Sequence, residues 1–285
     1  MRLTHIGGPT VLLELAGWRI LTDPTFDPPG RKYGFGWGTS SRKTAGPAVP
    51  ATSIGAVDIG LLSHDHHADN LDDVGRKVLG GAGAVVTTVP AARRLATPAT
   101  SGLRPWQTVR LHAADKPTLT VTATPCRHGP ALSRPVAGSV VGFALQVEGH
   151  AGAVWMTGDT VLYRGVRDVP RRLEIDTMLV HTGRVKFPIT GPLTYSMGGA
   201  EAIELALIAR PRLVVPVHFD GWSHFSEQRS RLQVVLGAAP SSVRERLVWL
   251  EPGQPEELAD PPQDLGNVRS RSSPKTSAHG TQPDA

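Results

Sequence analysis

The chain alternates between short apolar runs and stretches rich in glycine, proline and polar residues. Apolar or β-branched runs bounded by turn residues predict strands. They lie at Thr4–Leu15, Trp18–Thr22, Ile59–Leu62, Ala84–Val89, Leu119–Thr124, Ser139–Glu148, Gly152–Thr157, Asp176–Thr182 and Arg212–Asp220. Apolar residues at helical spacing, with capping residues, predict helices at Asn70–Leu79, Ser196–Arg210 and Ser226–Leu236. The pattern alone therefore indicates a mixed α and β protein.

Two long segments rich in glycine and proline separate these blocks, at residues 27–53 and 184–196. Loops of this length in compact domains often serve as lids or binding loops. In the first loop Tyr33, Phe35 and Trp37 alternate with glycine, so they either line a cleft or pin the loop to the body. In the second, Tyr195 suits the opposite wall of such a cleft. We predict one domain over residues 1–253 and a disordered tail over residues 254–285, where proline, glutamine and serine dominate.

Composition narrows the class of protein. The net charge of +5 and the pI near 9.7 invite a nucleic-acid partner, but the basic residues are scattered, which favours a solvated surface. No apolar run approaches the roughly 18 residues that span a bilayer, and the N-terminus lacks the pattern of a secretory signal. A single cysteine, Cys126, forms no internal disulfide, and we read it as a small packed residue. We expect a cytoplasmic protein with a small-molecule substrate, and homo-oligomerisation stays open.

The chemically richest stretch follows the predicted strand that ends at Leu62. Three histidines and two aspartates fall within six residues, His64-Asp65-His66-His67-Ala68-Asp69. Imidazole is the commonest side-chain metal ligand near neutral pH, and carboxylates add charge to the same site. In an extended segment residues i and i+2 share a face, so His64 and His66 are expected to point at one ion.

Other candidate ligands also follow predicted strands. His128 lies in a Gly/Pro-bounded loop, Asp159 lies within Gly-Asp-Thr, and His218 ends the last strand. His181 and His224 occupy similar places, and we expect them to contact substrate or to support a ligand.

These blocks resemble the metallo-β-lactamase superfamily of metal-dependent hydrolases, whose signature reads His-x-His-x-Asp-His. The Ser63-His64-Asp65-His66 opening is most similar to the branch of ascorbate-6-phosphate lactonases and N-acylphosphatidylethanolamine phospholipase D. One residue is inserted after His66, so Asp69 takes the place of the motif aspartate and Asn70 that of its histidine. His67 is the alternative replacement for that histidine.

The resemblance implies an α+β fold, the four-layer αβ/βα sandwich. It assigns His64, His66 and His128 to one metal, with Asp69, Asp159 and His218 around a second and Asp159 bridging the two. Asp69 would also act catalytically by accepting a proton from the attacking water. One or two divalent ions are implied; zinc is favoured, with manganese or iron as alternatives.

The resemblance further implies hydrolysis of an ester, lactone or phosphoester bond in a small molecule. Two alternatives stay open. One is a phosphodiesterase acting on lipid or nucleic acid. The other is a non-catalytic metal-binding or sensor protein, because asparagine binds zinc far more weakly than histidine does.

Overall fold

The fold consists of two β-sheets packed face to face, with helices on their outer sides. The computed structural model describes residues 1–97, 99–131, 133 and 137–264. The strands are β1 Arg2–Gly7, β2 Thr10–Leu15, β3 Trp18–Thr22, β4 Lys32–Gly36, β5 Thr39–Arg42, β6 Ile59–Leu61, β7 Ala84–Thr88, β8 Thr100–Leu103, β9 Thr108–Ala113, β10 Lys116–Pro125, β11 Val141–Val147, β12 Ala153–Met156, β13 Ile175–His181, β14 Leu213–Val217 and β15 Pro255–Glu257. The α-helices are α1 Asp73–Gly80, α2 Val89–Leu95, α3 Arg164–Arg167, α4 Val169–Arg172, α5 Gly199–Ala209, α6 Arg229–Gly237 and α7 Ser241–Arg244, and 3₁₀ turns occur at Ala51–Ser53 and Pro188–Thr190.

Each sheet is mixed. The first runs β15-β1-β2-β3-β6-β7-β8, antiparallel from β15 to β3 and parallel from β3 to β8. The second runs β14-β13-β12-β11-β10-β9, parallel from β14 to β12 and antiparallel beyond. β4 and β5 form a separate hairpin.

The main core lies between the two sheets. Inward side chains of the first sheet, such as Leu13 and Ile20, belong to one buried cluster with Val121 and Phe143 of the second. A second cluster packs the outer face of the second sheet against α5 and α6, through residues such as Trp155 and Leu205. Helix α1 covers the first sheet. The predicted α+β sandwich, with two sheets flanked by helices, is confirmed.

The structure corrects several predicted elements. The run Thr4–Leu15, predicted as one strand, forms most of the two antiparallel strands β1 and β2, which turn at Gly8 and Pro9. The strand predicted at Ala84–Val89 ends at Thr88, whose side chain caps α2; Pro90 lies in the first turn of that helix, where a missing N–H costs nothing. Helix α1 begins at Asp73, three residues later than predicted, because the Asp72 side chain caps it. The segment at residues 27–53, predicted as a loop, contains the β4–β5 hairpin, in which Tyr33 and Phe35 are buried.

The predicted tail begins too early. Residues 255–257 pair with β1, and Ala151 donates to the Pro262 carbonyl, so residues 254–264 belong to the folded body. The remaining predicted tail, residues 265–285, lies outside the described residues. Within the described part of the chain, no helix is both long and apolar enough to cross a membrane.

Candidate metal centre

Every candidate ligand follows a strand, at one edge of the two sheets. His64, His67 and Asp69 lie in the turn after β6, and His128 follows β10. Asp159 follows β12 and His218 follows β14; these strands lie in the parallel part of the second sheet. The sheet packing therefore brings ligands from distant parts of the chain together.

The first triad consists of His64, His67 and His128. His67 Nδ1 lies 3.2 Å from His64 Nε2 and 3.2 Å from His128 Nε2. All three residues are buried, and the three nitrogens lie within 4.8 Å of one another. Three converging imidazole nitrogens match the protein ligands of an open zinc site.

Outer contacts fix two of these rings. His128 Nδ1 lies 2.7 Å from the Tyr195 carbonyl oxygen and donates to it, which leaves Nε2 free as a ligand. Ser63 Oγ lies 2.9 Å from His64 Nδ1, and this hydrogen bond fixes the orientation of the His64 ring. Burial lowers the pKa of His64 well below its usual range, and burial with the neighbouring His128 lowers the pKa of His67 to about 3. Both rings are therefore neutral, as metal ligands must be.

The second triad consists of Asp69, Asp159 and His218. His218 Nε2 lies 3.5 Å from Asp69 Oδ2 and 3.3 Å from Asp159 Oδ2. Gly158 has φ +66°, and a Cβ there would lie 2.7 Å from the Val141 carbonyl oxygen, so only glycine presents Asp159 in this way. His218 itself has φ 60°, a conformation that a non-glycine residue adopts at a cost and that is concentrated at functional sites.

Charge in the second triad is unbalanced without a cation. Burial lowers the pKa of His218, but the Asp159 and Asp69 carboxylates outweigh it and raise that pKa to about 9. Burial alone would raise the pKa of Asp69, yet the nearby imidazoles of His218 and His224 hold it well below its usual range. Asp69 Oδ1 and Asp159 Oδ1 are buried and have no partner among the described residues. Unpaired buried carboxylate oxygens are costly, so the donor set fits a divalent cation.

Asn70 lies between the two triads. Its Nδ2 donates to Asp159 Oδ2 at 2.9 Å and lies 3.3 Å from His64 Nε2, while its Oδ1 has no partner among the described residues. Asn70, which the alignment sets in place of the last histidine of the motif, therefore connects a member of the first triad to a member of the second.

His66 lies outside the first triad, and His67 stands where His66 was expected. His66 Nε2 lies 3.1 Å from Arg94 Nη2, and Arg94 also pairs with Asp65. The rule that residues i and i+2 share a face holds for an extended chain, but the chain turns after His64: Asn70 and Leu71 both donate to the His67 carbonyl. The turn sends His66 outward and His67 inward.

His224 and His181 lie beside the second triad. His224 Nε2 is 3.0 Å from Asp69 Oδ2, and the ring packs against Phe35, Phe187 and Trp222. His181 Nε2 is 3.5 Å from Asp23 Oδ2. Burial raises the pKa of Asp23 well above its usual value and lowers the pKa of His181 to about 3, so this pair is neutral. Asp23 Oδ1 also accepts from the Ser63 amide at 2.6 Å, which ties β3 to the ligand turn.

A cavity of about 580 Å³ opens over the first triad, with His67 and His128 in its wall. Both long loops line it. Phe35 and Trp37 come from the β4–β5 hairpin, and Phe187 and Tyr195 come from the second loop. Both interpretations of the aromatic loop thus hold in part: Tyr33 pins the hairpin to Trp222, and Phe35 and Trp37 face the cavity. Sequence reasoning did not single out Phe187, Ile189 or Leu193, because isolated apolar residues in a loop carry no periodic signal.

Cys126 takes no part in the centre. Its thiol donates to the Thr157 carbonyl, and burial raises its pKa well above the usual value, so it stays protonated.

Comparison with known proteins identifies the family of this chain. A family described as "Beta-lactamase superfamily domain" matches residues 18–219. A UPF0173 metal-dependent hydrolase of Opitutus terrae is 29% identical over 227 residues, covering 77% of this chain and 85% of that protein. Another, from Thermofilum pendens, is 27% identical over 258 residues, covering 88% of this chain and 96% of that protein.

Solved structures share the fold. An isothiocyanate hydrolase from Delia radicum gut bacteria has a TM-score of 0.73 at 20% identity, covering 91% of this chain and 99% of that one. A possible metal-dependent hydrolase from Veillonella parvula has a TM-score of 0.75 at 18% identity, covering 90% and 99%. At these identities the structures establish the fold alone. The family match covers most of the chain, and the chain therefore belongs to the β-lactamase superfamily, as a metal-dependent hydrolase with the metallo-β-lactamase fold.

Proposed function

We propose that this chain hydrolyses an ester, lactone or phosphoester bond in a small molecule, with two divalent cations, zinc at least in the first triad. The observation that carries the proposal is the juxtaposition of the two triads around Asn70, beneath a cavity walled by His67 and His128. The similarity of the Ser63-His64-Asp65-His66 opening to the lactonase and phospholipase D branch supports the choice of bond.

A bound divalent cation supplies two effects, lowering the pKa of a coordinated water to about 7 and polarising the bond under attack. His64, His67 and His128 would hold one cation, and Asp69, Asp159 and His218 the other. Imidazole ligands leave a cation its full charge, whereas two carboxylates offset most of the charge at the second position.

Asp69 is the proposed proton acceptor. The low pKa of its carboxyl keeps it ionised, and its Oδ1 is buried without a partner among the described residues. His224 holds the other oxygen, Oδ2, at 3.0 Å, so the carboxylate has a fixed orientation. We assign His224 the role of positioning Asp69, and the neutral Asp23–His181 pair the role of supporting the ligand turn through Ser63.

Among these three bonds, the phosphoester has support of its own in the structure. A neighbouring cavity of about 550 Å³ includes His128 together with Arg93, Arg104 and Arg127, none of which has an ion-pair partner among the described residues. Arginine binds phosphate through a fork of N–H donors. The non-catalytic interpretation is not retained, since the chain belongs to a family of hydrolases.

The test is a panel of p-nitrophenyl esters, lactones and p-nitrophenyl phosphates with the purified, metal-loaded protein. We expect turnover of at least one class, its loss on chelation and its return with added zinc. Asp69→Asn removes both the proposed proton acceptor and a proposed ligand of the second cation, so kcat should fall by about a hundredfold or more. No chelator-sensitive turnover of any class would contradict the proposal.

A further inference from the structure

The apolar side chains around the cavity over the first triad are unusually exposed. Within the described residues, the large apolar side chains that remain exposed are Trp37, Ile189, Leu193, Leu207, Ile208 and Val234. Three of these, Trp37 at 77%, Ile189 at 69% and Leu193 at 43% exposure, line this one cavity. Scattered exposed apolar residues are ordinary, but a group of them at the mouth of a concave site marks a binding surface.

Trp37 is held there by a backbone conformation that tryptophan rarely adopts. It is the first of two residues that connect β4 to β5, and it has φ 50°, followed by Gly38 with φ 74°. Positive φ at both positions is the requirement of a type I′ turn, for which asparagine or glycine is preferred. The turn alone therefore does not explain a tryptophan at this position, whereas a role at the cavity does.

The two loops meet over the cavity. A Cβ placed on Gly38 would lie 3.7 Å from Ile189 Cδ1, so the hairpin tip touches the 3₁₀ turn at Pro188–Thr190. Deeper inside, Phe35 packs against both His67 and Phe187, with ring centroids 5.1 and 5.7 Å apart. An aromatic wall thus runs from the exposed mouth to the imidazoles of the first triad.

The part of the wall that the described residues form carries no charged side chain apart from the histidines. Apart from the two histidines, the described residues that line this cavity include no aspartate, glutamate, lysine or arginine. A charged group held against this wall, away from the cation that the first triad would bind, would lose its hydration without gaining an ionic partner among the described residues, whereas an apolar group gains from leaving water. The volume of about 580 Å³ falls within the range of roughly 300–1,000 Å³ usual for small-molecule sites.

We propose that this cavity, walled by Phe35, Trp37, Phe187, Ile189, Leu193 and Tyr195, binds an uncharged alkyl or aryl group of the substrate beside the bond that is hydrolysed. The inference rests on the proposed hydrolase function and specifies its substrate class as apolar esters or lactones. Two observations favour an apolar substrate over an anionic one. This cavity includes two imidazoles of the first triad, whereas the arginine-containing cavity includes one, that of His128. In addition, Arg93 and Arg104 in the arginine-containing cavity are exposed to solvent.

The experiment uses the full chain, metal-loaded, with p-nitrophenyl acetate, butyrate, hexanoate and octanoate. Each buried methylene is expected to raise kcat/KM by about fourfold until the cavity is filled. Trp37→Asn fits the turn without strain, so its fold and metal content should persist while the ratio of octanoate to acetate ester turnover falls. The matched control is Val234→Asn on α6, an equally exposed apolar residue outside this cavity, which should leave that ratio unchanged.

A binding measurement separates this inference from the hydrolase proposal. Octanoate and acetate are titrated calorimetrically into wild type and Trp37→Asn; tighter octanoate binding that is lost in the variant supports the cavity even if no ester is turned over. Metal-dependent turnover that does not rise with chain length would overturn the inference and leave the proposed function standing. A preference for p-nitrophenyl phosphate that Trp37→Asn leaves unchanged would also overturn the inference. It would favour substrate binding in the arginine-containing cavity instead.

Discussion

The two triads differ both in donor atoms and in how the chain assembles them. The first presents three imidazole nitrogens, and two of its members, His64 and His67, come from a single turn. The second presents two carboxylates and His218, each delivered by a different segment. Nitrogen-rich sites favour zinc, whereas carboxylate oxygens also suit harder ions such as manganese. We therefore expect the first triad to bind zinc more tightly than the second, and metal binding at the second triad to depend more strongly on pH.

The largest expected effect comes from the first triad. His67→Ala removes the nitrogen that lies 3.2 Å from both other imidazoles. We expect loss of one metal equivalent per chain and a fall in kcat/KM beyond the roughly 10- to 100-fold typical of removing an outer partner. Elemental analysis and steady-state kinetics provide the measurement.

His66→Ala is the matched control for that experiment. It removes an imidazole one residue away that contacts Arg94 instead of the triad. Metal content should be unchanged. If His66→Ala loses metal and His67→Ala keeps it, the geometry of the first triad described above is wrong.

The second triad should respond separately. His218→Ala removes the one imidazole of the second triad as the described residues form it, whose other two members are carboxylates. We expect metal content to fall from about two equivalents toward one, with the first position still filled, because the triads share no residue. Loss of both metals together would show that the two positions are not independent.

Acidification should also distinguish the triads. Protons compete with a cation for His218, whose pKa is raised to about 9 by Asp159 and Asp69, so affinity at the second triad should fall by about tenfold per pH unit below 9. Burial lowers the pKa of His67 in the first triad to about 3, so protons do not compete for this ligand near neutrality. Zinc titrations at pH values between about 6 and 8.5 should show a steeper pH dependence at the second triad than at the first. Two sites with equal pH dependence would refute the distinction.

The smallest expected effect is at Ser63. Ser63→Ala removes the hydroxyl 2.9 Å from His64 Nδ1 but keeps the backbone amide that donates to Asp23. Zinc affinity of the first triad should fall by about tenfold, as for other outer contacts, with no change at the second triad. Competition with a chromophoric chelator measures this difference. A complete loss of zinc would mean that Ser63 does more than orient the ring.

Much of this architecture was predictable because its signals are local. Strands such as Trp18–Thr22 follow from short apolar runs, and the density of histidine after β6 identifies a metal site without any tertiary information. Asp159 and His218 were expected near the centre because each follows an apolar strand, and the structure places both in the second triad.

Other features depend on the path of the chain in three dimensions. The sequence could not distinguish His66 from His67, because the choice depends on a turn closed by hydrogen bonds to the His67 carbonyl. Nor could it show that Trp37, Ile189 and Leu193, up to 156 positions apart in the sequence, share one cavity. Short-range hydrophobic patterns determine which segments become strands. The direction of side chains in a turn, and the meeting of distant loops, are decided only when the two sheets pack together and bring their strand ends to one edge.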